Sequence, residues 1–190
     1  MKRLKYIFIS LLLVACSSED GIDLEAQARE KFIIEAKGVY RLHTARLNNP
    51  IDINNDGIAH TNMLDELNYC GMSRLYESYK CNIYFRQTYN TAIVTVPASE
   101  YGRDYSPQRT CIQDIDLFYE LEYDFENNTA VIAQSDFRDN QAARVQTEIL
   151  DMTWQPGKIN FTFKKEFYNS DEVWQEVILY MEFLKTDERL

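Results

Sequence analysis

The chain has 190 residues, of which 45% are hydrophobic and 13% aromatic, with only 6 glycines and 4 prolines. This composition is typical of one globular domain and excludes a disordered or fibrous chain. The formal net charge of −10 argues against nucleic acid as a partner, because phosphates would be repelled. The two histidines, His43 and His60, are too few for a multi-histidine zinc site.

Residues 1–15 have the features of a secretion signal. Three basic residues precede an apolar run, 6–15, that is too short to span a bilayer as a helix. The tetrapeptide Leu-Val-Ala-Cys that ends at Cys16 resembles the bacterial lipobox, in which the signal is cut before a cysteine that then receives fatty acids such as palmitate. The prediction is a lipid anchor on Cys16, and the alternative is an ordinary signal peptide with a cysteine at the cut.

The acidic pair Glu19-Asp20 follows the cysteine closely. This arrangement resembles the export signal that sends lipoproteins of the Bacteroidetes to the outer face of the outer membrane. The sequence therefore predicts a lipid-anchored protein of the outer membrane that is exposed on the cell surface. An anchor that faces the periplasm is the alternative.

Residues 24–36 carry apolar side chains at helical spacing, so a short helix is predicted there, packing across one end of the domain. From Gly38 onward the pattern has period two, most clearly at 115–125, where Ile, Leu, Tyr and Phe alternate mainly with Asp and Glu. No long helix separates consecutive strands, so the predicted fold is all-β, an antiparallel meander of about eight or nine strands forming a closed or nearly closed barrel. The clearest predicted strands are 39–47, 73–85, 91–96, 115–125, 129–135, 144–150, 159–168 and 173–184.

The last predicted strand, 173–184, is apolar on both faces. Such a strand must be covered on both sides. The helix at 24–36 is the expected cover of the outer face, and a partner protein is the alternative.

The loop after the first strand contains oxygen-bearing side chains at alternate positions. Asp52, Asn54 and Asp56 occupy positions 1, 3 and 5 of a calcium loop, Gly57 stands at the sharp bend, and Ile58 offers its carbonyl. Converging hard oxygens are what a calcium ion requires. The sequence therefore predicts a calcium site in this loop.

The loop departs from the standard pattern at position 12, where Met63 replaces the bidentate glutamate. The site is complete only if Asp65 or Glu66 folds back towards the loop. The alternative is a loop of Asx turns, whose Asp and Asn side chains bind their own backbone. The predicted calcium ligands are Asp52, Asn54, Asp56, Ile58 and Glu66.

The same region carries a family resemblance. Gly-Val-Tyr-Arg-Leu at 38–42, the loop Pro-Ile-Asp-Ile-Asn-Asn-Asp-Gly at 50–57, Leu-Asp-Glu-Leu at 64–67 and Cys70 resemble the opening of lipocalin-like lipoproteins of the Bacteroidetes. The resemblance implies a lipocalin-like barrel and no known substrate. The expected organisation is a signal peptide at 1–15, a lipidated cysteine, tether and helix at 16–35, and the barrel domain at 36–190.

Three cysteines remain after Cys16. An odd number in an exported protein predicts one disulfide and one free thiol. Hairpin geometry around the turn near 87–90 favours the pair Cys70–Cys111, with Cys81 as a small buried residue. Cys70–Cys81 is the alternative.

Neither histidine has a nearby serine or cysteine in a nucleophile context, and the alternating carboxylates of 114–124 are typical of a solvated strand face rather than of a glycosidase. The prediction is a non-enzymatic lipoprotein whose barrel holds a small apolar ligand. The alternative is an interaction subunit of an outer-membrane complex that uses the apolar last strand as its contact, and a hydrolase is the third hypothesis.

Overall fold

The computed structural model describes residues 24–67, 78–85, 90–101, 107–124, 127, 129–133 and 135–188. Nine antiparallel strands form a nearly closed barrel, preceded by a short helix. The all-β prediction is thereby confirmed. The elements are α1 Leu24–Ala36, β1 Gly38–Ile51, β2 His60–Asn62, a 3₁₀ turn Met63–Asp65, β3 Lys80–Phe85, β4 Asn90–Tyr101, β5 Pro107–Asp124, β6 Thr129–Ile132, α2 Asp136–Ala143, β7 Thr147–Gln155, β8 Lys158–Tyr168 and β9 Trp174–Lys185.

The strands follow the order β6-β5-β4-β3-β1-β9-β8-β7, and β2 pairs beside β1. The first strand therefore bonds to the last, with Leu42 opposite Phe183, and this pairing brings the two ends of the meander together. The seam lies between β6 and β7, which are neighbours joined through α2 but show no ladder pairing among the described residues. The predicted meander, closed or nearly closed, corresponds to this arrangement.

Alternation of side chains fills the barrel with apolar groups. In β8 every second residue points inward, and Phe161, Phe163 and Phe167 are all buried. The rings of Phe161 and Phe163 stack at 5.6 Å between centroids, and Phe183 from β9 meets Phe161 edge-on. Each such side chain contributes about 1.5–3 kcal/mol through burial, so this layer is a substantial part of the core that stabilises the fold.

Helix α1 closes one end of the barrel. Its Phe32 is buried, and the ring centroid lies 4.7 Å from those of Tyr123 and Trp154 and 6.3 Å from that of Phe85. We call Phe32, Phe85, Tyr123 and Trp154 the aromatic cluster. The helix packs across one end of the domain, as one prediction has it, and the other prediction, that it covers the outer face of the last strand, is wrong.

Hydrogen bonds orient the helix at this end. The Tyr40 hydroxyl donates to the Ala36 carbonyl oxygen at 2.8 Å and accepts from Trp154 Nε1 at 3.1 Å. Burial raises the pKa of Tyr40 to about 12, so this hydroxyl keeps its proton. The ammonium of Lys185 donates to the Glu35 carbonyl oxygen at 2.5 Å and thereby ties the last strand to the C-terminal end of α1.

Several local predictions differ from the structure. Helix α2 was not predicted, because its eight residues carry no apolar stripe. Strand β7 runs later than the predicted 144–150, since a register shift between Ile149 and Asp151 interrupts the alternation. The lipocalin-like resemblance also implies a short helix after the loop, at 63–68, and the structure has a three-residue 3₁₀ turn there, Met63–Asp65.

Among the described residues, no helix is both long enough and apolar enough to cross a bilayer.

Candidate functional site

The loop at 52–58 lies at the end of the barrel opposite α1, because β1 begins at α1 and ends at Ile51. Ile53 and Met63 are buried and fasten the loop to the core. The Ser170 backbone N–H, in the turn between β8 and β9, donates to the Asp52 carbonyl oxygen at 2.9 Å. The loop and the turn together cap this end of the barrel.

Asp52 binds the backbone of its own loop. Its Oδ1 accepts from the Asn55 backbone N–H at 2.7 Å and its Oδ2 from that of Gly57 at 3.1 Å. Asn55 and Gly57 both have positive φ, at 60° and 85°, which lets the chain turn back towards the carboxylate. This is Asx-turn geometry.

Asn54 and Asp56 continue the same pattern. The Asn54 Oδ1 accepts from the Asp56 backbone N–H at 2.9 Å, and the Asp56 Oδ1 accepts from that of Ile58 at 2.8 Å. The Asn54 amide also donates to Asp56 Oδ2 at 3.1 Å. The alternating oxygens therefore converge within one loop, and they already serve as acceptors there.

Glu66 is the carboxylate that folds back, and its exposed fraction is 0%. Its Oε2 accepts from the backbone N–H of Ile53 at 2.7 Å and of Asn54 at 3.3 Å, and its Oε1 from that of His60 at 3.1 Å. Loss of hydration raises the pKa of Glu66, although the three N–H donors favour the charged form. Glu66 thus joins the loop, the 3₁₀ turn and β2.

Asp65, the other carboxylate considered, stays exposed and accepts from the Asn62 side-chain amide at 2.9 Å. Across the part of the chain that the structure describes, no group of three or more His, Cys, Asp or Glu is arranged to hold a metal ion. Calcium would have to replace backbone donors at Asp52, Asp56 and Glu66. The donor atoms are hard oxygens of the type that calcium prefers, so the residues fit the ion chemically.

Lys165 is a buried polar residue that the sequence analysis missed. It occupies an inward position of β8 between Phe163 and Phe167, and its Nζ lies 5.4 Å from the centre of the Phe167 ring. The Nζ donates to Thr147 Oγ1 at 2.8 Å and to the Val145 carbonyl oxygen. Burial lowers the pKa of Lys165 to about 7.

The alternation of residues along β8 could have indicated from the sequence that Lys165 is buried. An alternation of Ile159, Phe161, Phe163 and Phe167 assigns the intervening residue 165 to the interior. A neutral amine has two N–H groups to donate, and these match the two acceptors around Lys165. Lys165 thereby joins β8 to the start of β7 beside the seam.

The outer face of β9 carries apolar side chains interspersed with Glu176 and Glu182. Tyr180 is 48% exposed and Leu184 is 38% exposed. Ile178, which is nearer the start of the strand, is half-buried. Arg46 and Thr162 lie opposite Tyr180 on the neighbouring strands β1 and β8, and Arg41 and Lys158 lie opposite Leu184. We call Ile178, Tyr180 and Leu184 the β9 strip.

The cysteine predictions fall mostly outside the described side chains. Cys16 and Cys70 lie outside the described residues, and only the backbone of Cys111 is described, within β5. Cys81 is a free thiol, fully buried in β3, and burial raises its pKa. The pairing Cys70–Cys111 stays a prediction, and the alternative Cys70–Cys81 is not formed in this structure, since the Cys81 thiol is free.

Comparison with protein-family models, with curated proteins and with solved structures gives no match.

Proposed function

We propose that this chain is a non-enzymatic lipoprotein of the outer membrane that binds a partner protein through the β9 strip. The single observation that carries the proposal is that apolar side chains of the last strand face outward and stay exposed, while α1 packs at the barrel end instead. The membrane partner in this proposal is the bilayer that holds the lipid on Cys16.

The surroundings of the β9 strip support the proposal. Arg41 is paired with Glu188 at 2.6 Å and Lys158 with Glu182 at 3.0 Å, so the bases beside Leu184 already have counter-charges. The strip is therefore a set of apolar side chains, interrupted by the paired Glu182, with polar residues on both neighbouring strands. A Tyr or Leu anchor inside a polar rim is typical of protein–protein interfaces.

The experiment places a photo-cross-linking residue at Tyr180 in the full chain, expressed in its own cells. We expect one discrete adduct, and we expect Leu184→Glu to reduce its yield because a charge would be desolvated at the contact. The matched control carries the cross-linker at Val131 in β6, which is also exposed and apolar. Equal adducts from both positions, or no adduct from Tyr180, would contradict the proposal.

A second candidate function is the binding of a small apolar ligand inside the lipocalin-like barrel. The aromatic cluster favours it, because a single helix side chain, Phe32, occupies a space lined by rings from three strands. Movement of α1 would free that space for a ligand. Native mass spectrometry of protein extracted from its own membrane would detect such a ligand, and its absence there would speak against this candidate.

The lipid anchor is tested by Cys16→Ala with labelled palmitate. We expect loss of label and accumulation of an uncut or unlipidated precursor, since acylation requires this cysteine. Protease treatment of whole cells then separates the cell-surface location from the periplasmic one. Unchanged label in the variant would contradict the anchor.

The disulfide and calcium belong to the same proposal. We propose the pair Cys70–Cys111, with Cys81 as the free thiol, and a weak calcium site at Asp52, Asn54, Asp56, Ile58 and Glu66. Peptide mapping under non-reducing conditions checks the pairing. A mapped Cys70–Cys81 peptide would contradict it.

A further inference from the structure

A groove of about 340 Å³ lies on the outer surface beside β2, separate from the barrel interior and from the calcium loop. This volume is at the small end of the range for small-molecule sites, and it suits a molecule the size of one sugar ring. We call it the β1–β2 groove. Its walls are His43, Thr44 and Arg46 from β1, Thr61 and Asn62 from β2, and Leu64 from the 3₁₀ turn.

Arg46 is the charged centre of this groove. Its side chain forms no ion pair and no hydrogen bond with any residue that the structure describes, and its backbone lies in register between Asn62 and Tyr180. The outward bases Arg41, Lys158 and Lys164 are each paired with a glutamate at 3.0 Å or less. The Arg46 guanidinium is therefore available to an anion from outside.

The neighbouring polar groups define the kind of anion. Thr44, Thr61 and His43 add hydroxyl and imidazole groups, which exchange hydrogen bonds with ligand hydroxyls. Asn62 is already engaged, because its amide donates to Asp65 at 2.9 Å and its oxygen accepts from the Leu64 backbone N–H. A single guanidinium matches the single charge and planar shape of a carboxylate.

A phosphate fits this groove less well. It carries a charge of about −1.5 to −2 at neutral pH, against one arginine on a chain with a net charge of −10. We propose that the β1–β2 groove binds a hydroxyl-bearing carboxylate, about the size of one sugar ring, with the carboxylate paired to Arg46. The proposal rests on different observations from those for the β9 strip, and the two sites adjoin where Arg46 lies opposite Tyr180.

The experiment is calorimetric titration of the full chain, in detergent, with glucuronate, glucose and inorganic phosphate. We expect glucuronate to bind with a dissociation constant on the order of 1 mM and at least tenfold more tightly than glucose or phosphate. Arg46→Gln should remove the preference for glucuronate over glucose. Arg41→Gln, the matched control on the same strand, should leave that preference unchanged.

A second variant keeps the test decisive if Arg46→Gln does not fold. Thr61→Val removes one hydroxyl at nearly constant volume and should weaken glucuronate binding several-fold. Glucuronate that binds no more tightly than glucose, phosphate that binds as tightly as glucuronate, or an unchanged preference in Arg46→Gln would each overturn the proposal.

Discussion

At the α1 end the barrel is closed by packed rings, whereas at the opposite end it is closed by a loop whose backbone is bonded to a buried carboxylate. Phe32 contacts its neighbours through rings 4.7–6.3 Å apart. Glu66 instead accepts from three backbone N–H groups within 3.3 Å. The aromatic packing at the α1 end depends on how well the rings fill the space and has little directional requirement. The hydrogen bonds at the loop end require each acceptor to lie opposite its donor.

This difference determines how each end responds to substitution. A smaller apolar residue at the α1 end leaves a cavity, which neighbouring side chains can partly fill. A smaller residue at the loop end leaves buried donors with no acceptor, and repacking cannot satisfy them. The two ends therefore call for different variants and different controls.

The largest expected effect is at the α1 end. Phe32→Ala removes the ring at the centre of the aromatic cluster, and we expect the free energy of unfolding to fall by about 3–5 kcal/mol. Urea denaturation of the full chain measures this loss. The control is Ile34→Ala on the exposed side of the same helix, for which we expect a change within about 0.5 kcal/mol. Equal losses in both variants would mean that α1 is not held by Phe32.

At the loop end, Glu66→Ala should lower the free energy of unfolding by about 3 kcal/mol. The reason is that the backbone N–H groups of Ile53, Asn54 and His60 lose their acceptor in a buried place. Asp65→Ala is the matched control, because that carboxylate is exposed and accepts only from a side chain. A similar loss in both variants would contradict the assigned role of Glu66.

The period-two pattern predicted most of the barrel because β-structure repeats a local rule. In β5 the alternation of apolar and acidic residues extends through Asp124, and in the structure Leu117, Tyr119 and Leu121 are buried. Helix α1 was predicted with its observed bounds, Leu24–Ala36. Its place was left between one end of the domain and the outer face of the last strand, since spacing shows which residues share a face but not which surface that face meets.

The loop end was predicted in composition rather than in geometry. The sequence placed Asp52, Asn54 and Asp56 in one loop and offered Glu66 as the residue that folds back. It left open whether these oxygens meet an ion or the backbone, because the two arrangements need the same residue types. The identity of the acceptor for each N–H depends on the fold of the 3₁₀ turn, which spacing does not determine.

Lys165 is a third buried group, a polar side chain on the half of β8 nearer the loop end. Its pKa is about 7 in the folded chain and near 10.5 when unfolded. Between these values the unfolded chain binds the proton and the folded chain does not, so stability rises with pH. We expect Lys165→Met to remove a rise of about 1.4 kcal/mol per pH unit between pH 8 and 10.

The measurement compares the free energy of unfolding of the wild type and the variant at each pH. Lys164→Met is the control, because Lys164 faces outward and pairs with Glu148 at 2.5 Å. It should keep the wild-type slope. Parallel pH profiles for the wild type and Lys165→Met would show that the Lys165 amine is not neutral in the folded chain.

Calcium should have the smallest effect, and only at the loop end. An ion at Asp52 and Asp56 would replace the N–H donors of Asn55, Gly57 and Ile58, so part of its binding energy offsets lost hydrogen bonds. With Met63 at position 12, the bidentate ligand of a standard loop is missing. We therefore expect a dissociation constant on the order of 10⁻⁴–10⁻³ M, as in extracellular calcium modules.

When the calcium concentration is ten times the dissociation constant, binding raises the free energy of unfolding by about 1.4 kcal/mol. This appears as a modest rise in melting temperature. Asp52→Ala and Asp56→Ala should abolish the rise, and Asp116→Ala, on a strand of the sheet, should keep it. The readout is the calcium-dependent difference within each variant, because Asp52→Ala also lowers stability without the ion by removing acceptors from Asn55 and Gly57. If the wild type melts identically with calcium and with a chelator, backbone donors alone satisfy the loop carboxylates, and both ends of the barrel close without an ion.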